Sequence, residues 1–536
     1  MCGIIFRYGP KPGKYTSVFL EARDSLDHRG PDRKGFYRHG NSLLGFTRLS
    51  IVDQSATQPI INREYATMTN GEFYNQFECE SEDQYEERSF IKKFEYKTKC
   101  DSEIAIPLYL LYGPDFFKHL HGKFATVLVP LGKQNSHVFM IGRDRMGICP
   151  LYWGRDSDGG IWFASEMKAL VKANVEPNIF PTGYYYLASK YYKKDGTYTV
   201  IQSWFEYHDY SIPKKNFRNG SFSHLTLRNA LIHAIKIRIP EVKMGCLLSG
   251  GLDSSIVASV LSKYVEGLKT FSIGFADSPD LLAAKKVAEY IKSDHYEFII
   301  NKEEAFDAIP QVIYYLETFD ITTIRAATPM YLMAKKIREL NIKVVFSGEG
   351  ADELFGGYAY FKFAPNPAEL QQEIYRKMRL LHRYDCLRAN KALMAHGIEG
   401  RFPFLDQHFV EYGLSINPAL KMSNRDIEKK ILRKAFEGFL PDDILWRKKE
   451  QFSDGVGHSW ISYLKEKTKD TKLIEDQIDG AWNPEGQYYR NIFDLFYPNR
   501  ACVKTVLNVK SLACSTPKIK HWYEDFDKKA DPSGLI

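Results

Sequence analysis

The strongest constraint on the fold is a change in hydrophobic periodicity near the middle of the 536-residue chain. Up to about residue 200, short apolar runs such as Ser42–Phe46 and His137–Ile141 alternate with turns, which is typical of a strand-rich domain. Further on, strands such as Val242–Leu248 alternate with helical patterns such as Leu225–Arg238 and Thr328–Leu340. Strand–helix alternation predicts a parallel sheet covered on both faces. The sequence therefore predicts an α+β domain followed by an α/β domain.

A polar, turn-rich stretch at 211–220 separates these two regions and is typical of a linker. We expect a first domain at residues 1–205, a linker at 206–222 and a second domain at 223–536. Beyond residue 360 the hydrophobic spacing is mostly helical. The second domain is therefore expected to end in a helical part.

Composition narrows the broad class of protein. With 44% hydrophobic and 26% charged residues, the chain is typical of a globular protein. Its net charge of +7 is mild for this length, so no nucleic-acid partner is expected. No apolar run approaches the ~18 residues of a membrane span, and the N-terminal run is too short for a signal peptide. The eight cysteines include no C-x-x-C pair, which favours a reducing, cytoplasmic compartment. Nothing in the composition excludes a homodimer.

Cys2 follows the initiator methionine directly. Removal of Met1 would give Cys2 a free α-amino group, whose usual pKa of about 7.7 lies near the working pH. This amine could act as general base to the thiol of the same residue. A cysteine at position 2 by chance is the alternative, and further motifs must decide between the two.

Five further residues supply what an amino-acid amide would need from its site. Asn70 and Gly71 offer a side-chain amide and a backbone N–H, the two donors of an oxyanion hole. Arg48 is a cation suited to an α-carboxylate, although alone it would be read as a surface ion pair. Glu72 and Asp101 are anions suited to an α-amine.

These segments resemble the glutaminase domain of class II amidotransferases, whose fold is of the N-terminal-nucleophile (αββα) type. The resemblance implies that Cys2 is the nucleophile and that Asn70 and Gly71 hold the oxyanion. It also implies a set of residues that bind glutamine: Arg48, Leu49, Ser50, Ile51, Val52, Asn70, Gly71, Glu72 and Asp101.

A second motif, Ser-Gly-Gly-Leu-Asp-Ser at 249–254, lies between a predicted strand and a predicted helix. Two glycines let backbone N–H groups approach an anion, and the helix N-terminus adds positive potential. A second strand leads into a turn that carries Glu349 and Asp352. Asp253 and Asp352 are candidate Mg²⁺ ligands, and Glu349 is a candidate general base. For each acid alone, an ion pair with lysine or arginine is the alternative.

The 249–254 loop resembles the PP-loop of ATP pyrophosphatases, and nearly the full length resembles the asparagine synthetase family. The charged stretch 77–99 is the one clear departure. The resemblance implies ATP and Mg²⁺, aspartate and glutamine as substrates, and a β-aspartyl-AMP intermediate. It implies an ATP site made of Leu247, Ser249, Gly250, Gly251, Asp253, Ser254, Ile273, Ser347 and Gly348. It implies an aspartate site made of Glu349, Asp385, Arg388 and Lys449, with Glu349 and Lys449 catalytic.

Three alternatives stay open at this point. A β-lactam synthetase-like or peptide-cyclising relative shares both domains, but such proteins often lose Cys2 or the glutamine-holding residues, which are present here. A stand-alone glutaminase or a sugar amidotransferase would lack the 249–254 loop. A non-catalytic binding or scaffold protein with the same fold is the third alternative.

Overall fold

The computed structural model describes residues 1–75, 90–132, 135–193, 195, 197–208, 222–276, 278–423, 427–448, 458–474, 483–507 and 522. The chain divides near residue 209 into two compact units. Residues 209–221 of the predicted linker, residues 77–89 of the charged stretch and Lys449 lie outside the described residues. No helix in the described ranges is long and apolar enough to cross a membrane.

The first unit contains two six-stranded antiparallel sheets. One has the strand order β10-β8-β9-β1-β3-β2, and the other has the order β12-β11-β7-β6-β5-β4. The strands are β1 Cys2–Tyr8, β2 Arg33–His39, β3 Ser42–Arg48, β4 Ile60–Asn62, β5 Tyr65–Phe73, β6 Gly122–Pro130, β7 His137–Arg143, β8 Tyr152–Arg155, β9 Ile161–Ala164, β10 Asn178–Ile179, β11 Tyr184–Tyr192 and β12 Tyr198–Glu206.

The two sheets pack face to face between helices. The rings of Phe6 on β1 and Phe139 on β7 lie 4.8 Å apart, in the interface between the sheets. On the outer side of the second sheet, Phe117 stacks on Tyr185 of β11 at 5.0 Å. The helices are α1 Pro12–Asp24, α2 Ala105–Tyr112, α3 Phe116–His119 and α4 Met167–Lys172. Because α1 and α4 pack on the first sheet and α2 and α3 belong to the second, the layers are αββα, which confirms the predicted fold.

The second unit is built on a parallel sheet with the strand order β15-β14-β13-β16-β17. The strands are β13 Met244–Leu247, β14 Lys269–Gly274, β15 Asp294–Ile299, β16 Val344–Phe346 and β17 Glu399–Arg401. The central strands β13 and β16 are buried along their whole length. Strands covered on both faces read as continuous apolar runs, and this explains why the sequence pattern found them. The predicted parallel sheet is confirmed.

Helices surround this sheet and continue beyond it. They are α5 His224–Lys236, α6 Leu252–Leu261, α7 Pro279–Ile291, α8 Lys302–Asp307, α9 Ile309–Leu316, α10 Ile321–Glu339, α11 Ala351–Phe355, α12 Pro367–Leu380, α13 Asp385–Met394, α14 Gln407–Ser415, α15 Lys430–Ala435, α16 Asp442–Leu445, α17 His458–Thr468, α18 Pro484–Phe496 and α19 Arg500–Thr505. The mostly helical end of the chain agrees with the hydrophobic spacing beyond residue 360.

Helix α10 begins seven residues before the predicted start at Thr328. Asp320 caps it, because its Oδ2 accepts hydrogen bonds from the backbone N–H of Thr323 at 2.8 Å and from the Thr323 hydroxyl at 2.6 Å. Near this end, the buried Arg325 forms a bidentate pair with Glu485 of α18, at 2.8 and 2.6 Å. Polar residues at buried positions hid this first part of the helix from a hydrophobic pattern.

Candidate active sites

The first candidate site surrounds Cys2 at the start of β1. Strand β1 pairs with β3 so that Cys2 lies opposite Arg48. The backbone N–H of Cys2 donates to Oδ1 of Asn70, on β5 of the facing sheet, at 3.0 Å. The Nδ2 group of Asn70 is buried and has no hydrogen-bond partner among the described residues. A buried donor left without a partner beside a thiol is the geometry expected of an oxyanion donor.

Gly71 is the second predicted oxyanion donor, and its position requires glycine. A Cβ atom there would lie 2.0 Å from the carbonyl oxygen of Lys123 and 2.7 Å from Cα of Phe124, both on the paired strand β6. The backbone can follow this path only without a side chain. Gly71 is therefore fixed directly beside Asn70 at the same end of the site.

Gln58 is a further neighbour of the thiol that the sequence did not indicate. Its Nε2 lies 4.0 Å from Sγ of Cys2 and donates to the carbonyl of Thr69 at 3.2 Å. The backbone N–H of Thr69 returns a bond to Oε1 of Gln58 at 2.7 Å. The amide is thus locked against β5. No local motif marks this glutamine, because its role depends on a strand that follows it in the chain.

Arg48 is buried at the end of β3 and organises the loop that follows. Its guanidinium donates to the carbonyls of Val52 at 2.8 Å, Asp53 at 2.7 Å and Ala56. The predicted glutamine-binding residues 49–52 lie in this loop, where the backbone N–H of Ser50 donates to Oδ2 of Asp32 at 2.8 Å. Arg48 is therefore not the surface ion pair that was the alternative.

The two predicted anions lie at the end of β5. Glu72 is 7% exposed, and its Oε2 lies 3.2 Å from the hydroxyl of Tyr74. Oδ2 of Asp101 accepts the backbone N–H of Phe73 at 2.8 Å. The structure thus brings Asp101 next to the strand that carries Asn70, Gly71 and Glu72.

A buried charge cluster lies on the other side of Cys2. Arg29 donates to the carbonyl of Cys2 at 3.1 Å and to Oε1 of Glu166 at 2.6 Å. His28 and Lys168 also contact the Glu166 carboxylate. Burial alone would raise the pKa of Glu166, but Lys168, His28 and Arg29 together hold it well below its ordinary value. Glu166 therefore stays charged and anchors the strand that carries the thiol.

The second candidate site begins at the loop between β13 and α6. Ser249 and Ser254 close the loop on itself: the backbone N–H of Ser249 donates to Oγ of Ser254 at 3.1 Å, and the two hydroxyls lie 3.0 Å apart. Gly250 has φ +72°, and a Cβ there would lie 2.5 Å from the backbone nitrogen of Ala284. Gly348, after β16, approaches the backbone nitrogen of Ser254 so closely that a Cβ would lie 2.8 Å away. Two strand ends thus meet in one glycine-rich cradle.

This cradle opens into a pocket that contains every described residue predicted for ATP and aspartate except Gly250. The predicted residues that line it are Leu247, Ser249, Gly251, Asp253, Ser254, Ile273, Ser347, Gly348, Glu349, Asp352, Asp385 and Arg388. Lys377, Lys429, Arg447 and Lys448 also line it and were missed. A pocket with this many cations suits an anionic ligand.

Lys429 stands between the two acids that were predicted to hold Mg²⁺. Its Nζ lies 2.5 Å from Oδ2 of Asp253 and also contacts Oδ1 of Asp352. The side chain is 2% exposed. Two carboxylates that converge on one cation fit a site for positive charge, whether an ammonium or a metal ion. No sequence motif indicated Lys429, which lies 176 residues after Asp253.

Three further charged residues of the pocket, all predicted from the sequence, form one cluster. Nη2 of Arg388 lies 2.8 Å from both carboxylate oxygens of Glu349 and 2.9 Å from Oδ1 of Asp385. The hydroxyl of Tyr358 lies 3.3 Å from Oδ2 of Asp385 and also donates to the buried Glu353. Burial, followed by the charges of Asp385 and Asp352, raises the pKa of Glu353 well above its ordinary value. The predicted trio Glu349, Asp385 and Arg388 is therefore brought together beside the cradle.

Two of the missed cations, Arg447 and Lys377, have contacts that tie them to this pocket. Arg447 donates to the carbonyl of Gly250 at 3.3 Å and pairs with Asp280 at 2.8 Å, so it supports the loop directly. The ammonium of Lys377 lies 5.1 Å from the ring centroid of Tyr358 and 5.7 Å from that of Tyr384. Lys448, next to the undescribed Lys449, lines the same pocket.

Comparisons with known proteins agree with this two-site arrangement. A model of the glutamine amidotransferase domain matches residues 1–215, and the asparagine synthase model matches residues 226–368 and 362–500. The chain is 42% identical over 547 residues to the glutamine-hydrolyzing asparagine synthetase B of Escherichia coli (strain K12), covering 96% of this chain and 94% of that protein. It is 41% identical over 567 residues to a glutamine-hydrolyzing asparagine synthetase 2 of Oryza sativa subsp. japonica, covering 100% and 92%.

Proposed function

Because the chain belongs to the glutamine-hydrolysing asparagine synthetase family, we propose that it makes asparagine from aspartate, glutamine and ATP through a β-aspartyl-AMP intermediate. Glutamate, AMP and pyrophosphate are the other products. The observation that carries the proposal is a pocket in the second unit where the loop 249–254 and the cluster of Glu349, Asp385 and Arg388 face one space. A nucleotide phosphate and a small acidic amino acid would meet there.

The first unit releases ammonia from glutamine in this proposal. The Cys2 thiolate attacks the side-chain amide carbon, and Asn70 and Gly71 hold the oxyanion. Ammonia leaves, and water hydrolyses the thioester to glutamate. The unpartnered Nδ2 of Asn70 supports this role. Arg48 and the loop 49–52 would bind the α-carboxylate, and Glu72 and Asp101 the α-amine.

The second unit activates aspartate. The β-carboxylate of aspartate attacks the α-phosphorus of ATP, the bond to the β-phosphate breaks, and pyrophosphate leaves. The ATP residues proposed from the sequence surround the cradle, and Asp385 and Arg388 lie where an amino acid with charges of both signs would pair with them.

Ammonia then attacks the acyl carbon of the mixed anhydride, and AMP leaves. Glu349 would accept a proton from the attacking nitrogen, and Lys449 would stabilise the developing negative charge. Arg388 lies 2.8 Å from the Glu349 carboxylate and so holds this group in the pocket.

Asp253 and Asp352 would hold Mg²⁺, whose charge would offset that of the phosphates. The residues fit this role, because both carboxylates already converge on the single cation Lys429. Phosphate oxygens of the nucleotide and water would supply the remaining ligands.

We also propose the domain division 1–205, 206–222 and 223–536 and a cytoplasmic location. The division of the structure near residue 209 supports the first of these. None of the six cysteines in the described ranges forms a disulfide, and this supports a reducing compartment.

The decisive experiment is mass spectrometry of the products formed from aspartate, MgATP and glutamine labelled with ¹⁵N in its amide. We expect label in the asparagine side chain, with AMP and pyrophosphate formed alongside. Unlabelled or absent asparagine together with glutamate would overturn the proposal and favour an acceptor other than aspartate. Absence of pyrophosphate and glutamate alike would favour a non-catalytic protein.

A further inference from the structure

The residues proposed to hold the two charged groups of glutamine lie on separate segments of the first unit. Arg48 ends β3 and holds the loop that follows by donating to three of its carbonyls. Asp101 begins a short helical turn much further along the chain. An α-amino acid carries its carboxylate and its amine on one carbon, so the two segments must keep a fixed separation to bind both groups.

Asp53 contacts both segments. Its backbone carbonyl accepts a hydrogen bond from Nη2 of Arg48 at 2.7 Å. Its Oδ2 accepts the backbone N–H of Lys99, which lies just before Asp101 in the chain, at 2.9 Å. Asp53 is thus bonded through its main chain to the segment proposed for the carboxylate, and through its side chain to the segment proposed for the amine.

The other carboxylate oxygen of Asp53 fixes the side chain in this position. Oδ1 accepts the backbone N–H and the hydroxyl of Ser55, at 3.1 and 2.5 Å, and the backbone N–H of Ala56 at 3.2 Å. The hydrogen bond from the Ser55 hydroxyl, together with those from the N–H groups of Lys99, Ser55 and Ala56, lowers the pKa of Asp53 below its ordinary value. The charged carboxylate therefore closes a turn with one oxygen and holds Lys99 with the other.

Buried contacts keep the Lys99 segment in one piece on the same loop. Ala56 and Cys100 are 6% and 7% exposed and belong to one small buried cluster. Glu103 is fully buried and accepts the backbone N–H of Thr98 at 2.8 Å and its hydroxyl at 2.7 Å. Because both neighbours of Lys99 are held, a shift at its N–H would be passed on to Asp101.

We propose that Asp53 is a positioning residue that sets the separation between the two ends of the glutamine site. It acts through Arg48 and Asp101, not on the substrate itself. A ligand that engages both ends binds more tightly to a preset spacing, because neither segment has to be ordered when the ligand arrives. The inference rests on the proposed glutaminase activity and adds to it the residue that couples the two halves of its site.

The test measures glutamate formation from glutamine by the full chain. Asp53 has φ +51°, a left-handed conformation that asparagine also tolerates, so Asp53→Asn leaves the backbone unstrained. The amide oxygen of the variant makes most bonds by facing the turn at Ser55 and Ala56, and its NH₂ group then faces the N–H of Lys99. Two donors meet, and the bond between the segments is lost.

We expect Asp53→Asn to raise the KM for glutamine about 10-fold, as for one lost hydrogen bond to a charged group, and to change kcat less than about twofold. Asp195→Asn is the matched control, because Asp195 forms a similar turn with the N–H and hydroxyl of Thr197, at 2.9 and 2.6 Å, between β11 and β12. Lys99→Ala keeps the backbone N–H and should also leave the KM unchanged. An unchanged KM in Asp53→Asn would overturn the inference.

A double variant distinguishes coupling from a general weakening of the first unit. Asp101→Asn removes the charge at the amine end, so the separation of the two ends should no longer matter. In that background we expect Asp53→Asn to raise the KM less than about twofold further. A further rise as large as in the unmodified chain, or a loss confined to kcat, would also overturn the inference. If the unmodified chain releases no glutamate from glutamine, the proposed function fails instead, so the two failures are distinguishable.

Discussion

At the scale of single residues, the two ends of the Asn70 amide have separable roles in the proposed glutaminase site. Its Oδ1 accepts the N–H of Cys2, and its Nδ2 is a buried donor with no hydrogen-bond partner in the described part of the chain. Asn70→Asp keeps an acceptor for Cys2 but removes the donor. We expect this change to lower kcat for glutamine hydrolysis about 10²- to 10³-fold, as for loss of one oxyanion donor. Ammonia-dependent asparagine formation is the control and should not change; unchanged glutamine hydrolysis would exclude an oxyanion role for Asn70.

The buried ammonium group of Lys421 lowers the stability of the folded state. Its Nζ is buried without a hydrogen-bond partner in the described residues, and burial lowers its pKa to about 7. Between pH 7 and the unfolded value of about 10.4, the unfolded state binds more protons than the folded state, so stability rises with pH in this window. Below pH 7 the lysine is protonated in both states, and the buried charge then destabilises the folded state to its full extent.

Lys421→Met should therefore stabilise the protein most at low pH. At pH 6 we expect the free energy of unfolding of the second unit to rise by the order of a few kcal/mol, seen as a higher urea midpoint. This gain should shrink as the pH approaches 10. Unfolding curves of both proteins at pH 6 and 9.5 measure this difference. A gain of equal size at both pH values would mean that packing, not the buried charge, is responsible.

At the scale of elements, the loop from β13 to α6 depends on backbone geometry at Gly250. A residue with a side chain would have to adopt φ +72° there, and its Cβ would clash with the backbone of α7 at Ala284. We expect Gly250→Ala to lower pyrophosphate release about 10- to 100-fold while glutamine hydrolysis continues. Gly267→Ala is the matched control, because Gly267 has φ +63° but open space around it. Equal losses in both variants would show that general destabilisation, not the loop, is the cause.

The start of helix α10 also depends on contacts that a hydrophobic pattern does not show. The pattern predicted α10 from Thr328, whereas the helix begins at Ile321 behind the Asp320 cap. Hydrophobic spacing could not find this turn, because Thr323 and Arg325 are polar residues at buried positions. Asp320 at the start of the helix accepts the hydroxyl of Thr323, and Glu485 pairs with Arg325. By contrast, the strands β13 and β16 were predicted from their continuous apolar runs.

At the scale of the whole molecule, the proposal assigns nitrogen release and nitrogen use to different units. Cys2→Ala should abolish glutamine-dependent asparagine formation and leave ammonia-dependent formation within about twofold of the original rate, because the thiol takes part only in forming the thioester. Assays with glutamine and with ammonium chloride measure the two rates separately. Loss of both would contradict the division, and Cys2→Ser would then show whether the substitution disturbs folding.

The sequence by itself determined the change from a strand-rich to an α/β region near residue 211 and the parallel sheet, because hydrophobic periodicity is encoded in contiguous residues. The motifs around Cys2 and the loop 249–254 identified the family by resemblance, and that resemblance implied the αββα fold. The tertiary structure alone decided the surroundings of these motifs. Gln58 beside the thiol and Lys429 between Asp253 and Asp352 come from segments that are distant in the chain from the motifs they contact. A motif specifies the atoms that react, whereas the groups that hold and charge-balance them are brought together only when the sheets form.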